Sequence, residues 1–146
     1  MEKFNAKRLR VHSLMLGLVL ACASASASAS ASASAKATDT SPSQELARWQ
    51  QQAQQPASAQ RGQALWARQQ GDWSCASCHG EPPVRDGRHA STHKHIAPLA
   101  PAINPQRLTD QAKVDKWFRR NCKDVFSREC TAQEKADVIA YLISLK

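Results

Sequence analysis

Between Trp73 and Gly80 the chain reads Trp-Ser-Cys-Ala-Ser-Cys-His-Gly, and Cys75, Cys78 and His79 are the residues in it that can do chemistry. Two thiols three positions apart, followed at once by an imidazole, form the C-x-x-C-H pattern of c-type haem attachment. Each residue type has its reason. The thiols add across the two vinyl groups of the porphyrin and become thioethers. The adjacent histidine is carried beneath the ring, where its imidazole is the proximal iron ligand. Two other uses of a C-x-x-C pair fit less well. A thioredoxin-like redox pair belongs in a βαβ unit, and no apolar–polar alternation here suggests strands. A zinc site wants four ligands at paired spacings, and the chain has no second C-x-x-C. The motif therefore predicts one haem c per chain.

The opposite side of the iron is the next question. Many electron-transfer cytochromes c complete the coordination with a methionine sulfur. The two methionines here, Met1 and Met15, both precede the ordered part of the chain. What remains is His89, His93 or His95, a weaker oxygen or nitrogen donor, or an open position. If the histidine loop folds over the haem, one of the three would make a low-spin, bis-histidine electron carrier. The alternative is a solvated polar loop. A peroxidase would need a distal His-Arg pair, and none can be assigned, so no catalytic residue is named.

These groups need elements to hold them. Ser41-Pro42 is a helix start, with serine as N-cap and proline at the first helical position. That helix is expected to run to about Gln55, ahead of Pro56. Ser58 caps a second, Ala59 to about Gln70, ended by Gly71. From Glu81 to Arg107, with prolines at 82, 83, 98, 101 and 105, the pattern is a long loop. A loop of this length in a small domain is expected to wrap something, and a haem edge is suitable. A third helix spans about Asp110 to Cys122, with Val114, Trp117, Phe118 and Asn121 along one face. The last opens on the capping box Thr131–Glu134 and reaches Leu145, burying Val138, Ile139, Leu142 and Leu145. The class is all-α: a small domain of about four helices around a covalently attached haem.

Outside that domain, residues 41–146, the chain reads differently. Lys3, Lys7, Arg8 and Arg10 precede a short apolar run, Leu14 to Ala21, which is the layout of a secretory signal over residues 1–22. Ala23 to Ala35 is strict Ala-Ser alternation. It can bury nothing larger than a methyl group, so residues 23–40 read as a flexible spacer. Cys22, directly after Ala21, stands where a lipoprotein cysteine would be acylated. The other reading is a small residue in a signal discarded later. Both place the domain in the periplasm, in one case tethered to a membrane. From Lys36 onward sixteen Lys and Arg face eleven Asp and Glu. This moderate basic bias suits an acidic redox partner. Without aromatic–basic interleaving or a recognition helix it gives no support for nucleic acid.

From roughly Ser41 to its C-terminus, and most densely from Ile96 to Leu142, the chain resembles the sphaeroides haem protein family, the oxygen-binding, class I-like cytochromes c of bacteria. The resemblance is carried by His95 to Pro101, Asn104 to Arg107, Thr109-Asp110, Lys113 to Trp117, Arg120-Asn121-Cys122, Arg128 to Thr131 and Glu134 to Asp137. It implies that Asn121 is the distal ligand of the ferric iron, with Trp117 in the same pocket one helical turn earlier. An amide oxygen is neutral, hard and weakly basic, so it suits ferric iron and competes poorly for the softer ferrous ion. Reduction would then open a site for oxygen or nitric oxide. The plainer reading makes Asn121 a cap at the end of the third helix. The resemblance also implies electrons from a dihaem cytochrome c or a membrane cytochrome b. Cys122 and Cys130 remain once the haem pair is set aside, and an even pair in an oxidising compartment suggests a disulfide. The resemblance implies the same bridge; two free buried thiols are the alternative.

Overall fold

The computed structural model describes residues 39–146. The expected signal, Cys22 and all but the last two residues of the Ala-Ser-rich spacer lie outside the described residues. Those last two are already tied down: Asp39 bridges Asp110, and the Thr40 amide donates to the Thr109 carbonyl at 3.1 Å.

The elements are α1 (Pro42–Gln50), α2 (Ala59–Ala67), α3 (Cys75–His79), β1 (Gly87–Arg88), β2 (His95–Ile96), α4 (Gln111–Phe126) and α5 (Ala132–Ser144). The class is all-α, with one antiparallel strand pair in register Gly87 to Ile96 and Arg88 to His95. Among the described residues no helix is long and apolar enough to cross a membrane.

Every N-terminus is capped as the residue types dictate. Ser41, Ser58, Ser74, Asp110 and Thr131 each accept a backbone N–H from the first turn. The C-terminal ends depart from the sequence expectation. α1 stops at Gln50 because the Gln50 amide folds back, donating to the Gln55 carbonyl at 2.9 Å and accepting from the Ala57 amide. α2 stops at Ala67 because Arg68 turns extended and Gln70 pairs with Trp73 across a turn with Gly71 at φ 58°. α4 runs one turn beyond the expected Cys122, to a left-handed Ser127.

Helices α2 and α5 pack closely at Gly62, where a Cβ would stand 2.0 Å from the Asp137 carbonyl oxygen. That approach buries Leu65, Trp66, Val138, Tyr141 and Leu142 in one core with Cys122, Phe126 and Cys130. Truncating a buried tryptophan such as Trp66 costs about 3–5 kcal/mol. A second cluster joins α1 to α5 through Trp49, Ala136 and Ile139, with the Phe118 ring edge-on to Trp49 at 6.4 Å. The buried carboxylate of Asp137 binds the two helices together. It accepts from the Ser58 amide at 2.7 Å and from Arg61 at 2.9 and 2.8 Å. Burial pushes this carboxyl up, but those donors outweigh it and hold it below its ordinary range.

Candidate haem site

A helix of five residues cannot stand alone, so α3 is held from outside. Its start is a capping box: the Ser77 amide donates to Ser74 Oγ at 3.1 Å, and the Ser74 amide to Ser77 Oγ at 3.0 Å. At its end Gly80 turns away at φ 76°, and Trp66 Nε1 donates to the Gly80 carbonyl at 2.9 Å. The Trp66 ring then lies 5.5 Å from the His79 imidazole. Cys75 and Ala76 pack against the main core.

The His79 ring is suited to iron. Burial, helped by the charges of Arg107 and His89, pushes its pKa down to about 4, so it is neutral with a lone pair free. Its Nδ1 is buried and has no hydrogen-bond partner among the described residues. A buried polar group left without partners is rare unless something else satisfies the ring. Burial likewise raises the Cys75 thiol to about 11, an environment that favours an uncharged sulfur such as a thioether. The donor set and its surroundings therefore fit a covalent haem. Arg107 donates to the Pro98 and Ala97 carbonyls at 2.8 and 2.7 Å. It has no carboxylate partner among the described residues and lies within electrostatic reach of His79, so it is a half-buried cation that a haem propionate would neutralise.

The three histidines belong to the β1–β2 hairpin, where the sequence pattern predicts a loop. The hairpin is seated on α3: a Cβ on Gly87 would stand 2.2 Å from the Cys78 carbonyl oxygen, and the Ala90 amide lies 3.3 Å from Cys78 Sγ. His89 Nδ1 accepts from the Ser91 and Thr92 amides at 3.3 and 3.2 Å. His95 Nε2 pairs with Asp86 at 3.0 Å. His93 is exposed at the left-handed tip, φ 55°. Among the described residues no three His, Cys, Asp or Glu are grouped to hold a metal ion.

Asn121 lies on α4, half-buried, and among the described residues no hydrogen bond engages its amide. It sits five residues before the helix ends, so the capping alternative is overturned: Ser127 occupies the C-cap. Trp117, one turn earlier, is 47 % exposed, with Lys116 and Arg120 over its ring at 5.6 and 5.2 Å. The next residue, Cys122, is bonded to Cys130, S–S 2.00 Å. Cys122 shares the core against which Cys75 packs, so α4 and the attachment helix lean on the same side chains.

Three contributors escaped the sequence reading: Trp66, Gly87 and Arg107. Trp66 is an apolar helix residue by pattern, and nothing in the pattern says that its indole N–H meets Gly80. Gly87 has ordinary spacing in a loop, and only the close approach of Cys78 gives it a role.

The comparisons with known proteins agree with this geometry. The family described as a domain of unknown function, DUF1924, matches residues 52–142. Cytochrome c-type protein SHP of Cereibacter sphaeroides is 46% identical over 108 residues, covering 70% of this chain and 83% of that protein. The structure of oxidised SHP, described as an oxygen-binding cytochrome c, superposes with TM-score 0.69 at 45% identity, covering 74% of this chain and all (100%) of that one. The solution structure of cytochrome c'' from Methylophilus methylotrophus, studied for haem-ligand detachment, superposes with TM-score 0.64 at 30% identity, covering 71% and 93%.

Proposed function

This chain belongs to the sphaeroides haem protein family of c-type cytochromes, and from that premise we propose that it is an exported monohaem cytochrome that binds oxygen or nitric oxide when reduced. Cys75 and Cys78 hold the haem covalently and His79 is its permanent ligand. The Asn121 amide would serve as a second, weak iron ligand, suited to the ferric state and given up on reduction. The haem supplies an iron that changes between ferric and ferrous and takes up a diatomic ligand. Its electrons come from another cytochrome of the exported electron-transfer chain, of the dihaem or membrane b type.

The observation that carries this reading is Asn121 itself: a half-buried amide in mid-helix, with no hydrogen bond among the described residues and no capping duty. Because no hydrogen bond would have to be broken first, the amide oxygen is available to a metal ion. A detachable haem ligand is already associated with a relative of similar fold. The bis-histidine rival is disfavoured by the hairpin, which is seated on His79's own helix through Gly87 and Ala90. His89 and His95 are moreover engaged within that hairpin.

Absorption spectra of the two oxidation states test the proposal. The ferric protein should be high-spin or weakly ligated and the ferrous protein five-coordinate. Asn121→Ala should keep the covalent haem and bind azide at least ~10-fold faster in the ferric state, the effect of removing about 1.4 kcal/mol of competition. A low-spin spectrum in both states that disappears in the His89→Ala, His93→Ala, His95→Ala triple variant would sink the asparagine reading and establish its rival.

A further inference from the structure

We propose that the solvent face of α4 is the docking surface for an acidic electron-transfer protein, an inference that rests on the cytochrome reading above. α4 carries Lys113, Lys116, Arg119, Arg120 and Lys123, all exposed, against Asp115 and Asp124. The excess of three cations on sixteen residues is more than half of the net charge from Lys36 onward.

The placement of the acids sharpens the excess. Asp115 is already matched by Arg48, which donates to it at 2.6 Å, so it does not neutralise the cations of the outer face. Lys113 is paired with Asp110 at 3.0 Å, and Lys123 reaches Glu129 only at 3.8 Å. Lys116, Arg119 and Arg120 have no carboxylate partner among the described residues, and Asp124 is the one exposed acid on the face. At the helical repeat these cations form one continuous stripe, with Trp117 and then Asn121 along its flank. The stripe thus borders the side from which the iron's weak ligand comes.

The chemistry favours a protein over a lipid surface. A membrane-seeking helix presents an apolar face to insert, whereas the Trp117 ring is overlaid by Lys116 and Arg120. Arginine and tryptophan together are the residue types that anchor protein interfaces. A row of unpaired charge of one sign accelerates encounter with a partner of the opposite sign by about 10–10³ at low salt.

The test is stopped-flow reduction of the ferric holoprotein by flavodoxin hydroquinone, an acidic one-electron donor. The flavin becomes semiquinone and the haem iron becomes ferrous. The wild-type rate should fall steeply with added salt. In Lys116→Glu, Arg119→Glu, Lys123→Glu the low-salt rate should drop at least ~10-fold and its salt dependence vanish. Reversing Arg85 and Lys94 on the hairpin side should change the rate by less than ~2-fold. The idea is overturned if both variants slow alike, or if the wild-type rate ignores salt. It is also overturned if phosphatidylglycerol vesicles bind the wild type but not the α4 variant while flavodoxin reduces both equally. Wild-type ferric and ferrous spectra in the α4 variant separate a lost docking face from a damaged pocket. Failure of the asparagine reading would instead appear in the spectra of the wild type itself.

Discussion

Around Cys75–His79 the chain is fixed from several directions, by the Ser74–Ser77 capping box, by Trp66 on Gly80 and by the hairpin at Gly87. Around Asn121 the fixing is sparse: an amide without a hydrogen bond among the described residues, an exposed Trp117, and one covalent stay at the neighbouring Cys122. The contrast matches what the proposed ligand roles ask of each side. A histidine that is never to leave gains from packing that forbids other rotamers, because preorganisation lowers the entropy lost on binding. An amide that is to leave must not be held by a second partner, yet its helix must bring it back. The disulfide meets that need by restraining the backbone next to Asn121 while leaving the side chain free.

The largest effect that would break this contrast is on the histidine side. Gly87→Ala places a Cβ within 2.2 Å of the Cys78 carbonyl oxygen, and backbone offers no flexible end to yield. Overpacking of this kind costs about 1–3 kcal/mol or more. Thermal unfolding of the holoprotein should show that loss, and the ferric spectrum should shift as the hairpin lifts off α3. An unchanged melting temperature and spectrum would mean that the hairpin is not a strap on the attachment helix.

On the asparagine side the counterpart is Cys122→Ser with Cys130→Ser. A loop of this size is worth roughly 2–3 kcal/mol in the chain-entropy model. The contrast predicts more than a stability loss: azide should bind the ferric protein faster, because α4 no longer presents Asn121 in one place. Lost stability with unaltered azide kinetics would reduce the disulfide to a general staple.

The smallest effect concerns the latch beside that disulfide. Glu134 takes two hydrogen bonds from Arg128, at 2.7 and 2.6 Å, and one from the Thr131 amide at 2.9 Å. The Arg128 guanidinium, with the Thr131 amide, holds its carboxyl down to about 2, against burial that would raise it. A depressed carboxylate stabilises the folded state fully above the ordinary value of 4.5 and loses that contribution as pH falls through about 2. Discounted for solvent screening, the contribution is about 1 kcal/mol or less. Melting curves between these limits should therefore fall less steeply for Glu134→Gln than for the wild type. Parallel curves would remove the latch from the account.

How much of this was legible beforehand differs by element. The haem attachment was written in five adjacent residues, because thioether chemistry demands two thiols and an imidazole at one local spacing. Helix starts were equally readable, since a cap is an interaction within one turn: Ser41, Ser58 and Thr131 all act where expected. The last helix followed from its capping box and periodicity, and Val138, Ile139 and Leu142 are buried as expected. Leu145 instead lies past the helix end, half-buried, and Ala136 and Tyr141 join the buried face. The ends of α1, α2 and α4 were not readable. They are decided by contacts such as the Gln50 side chain on Gln55 and the pairing of Gln70 with Trp73.

The sequence by itself determined the attachment chemistry, the absence of a methionine in the domain, and the all-α class. All three depend on composition or on neighbours along the chain. Only the tertiary structure decided the standing of Asn121, because whether an asparagine caps or stays free depends on where the helix stops. That stop lies more than a turn beyond it, at Ser127. The tertiary structure alone likewise seated the hairpin that carries the histidines against α3, through a glycine whose importance exists only where two backbones meet.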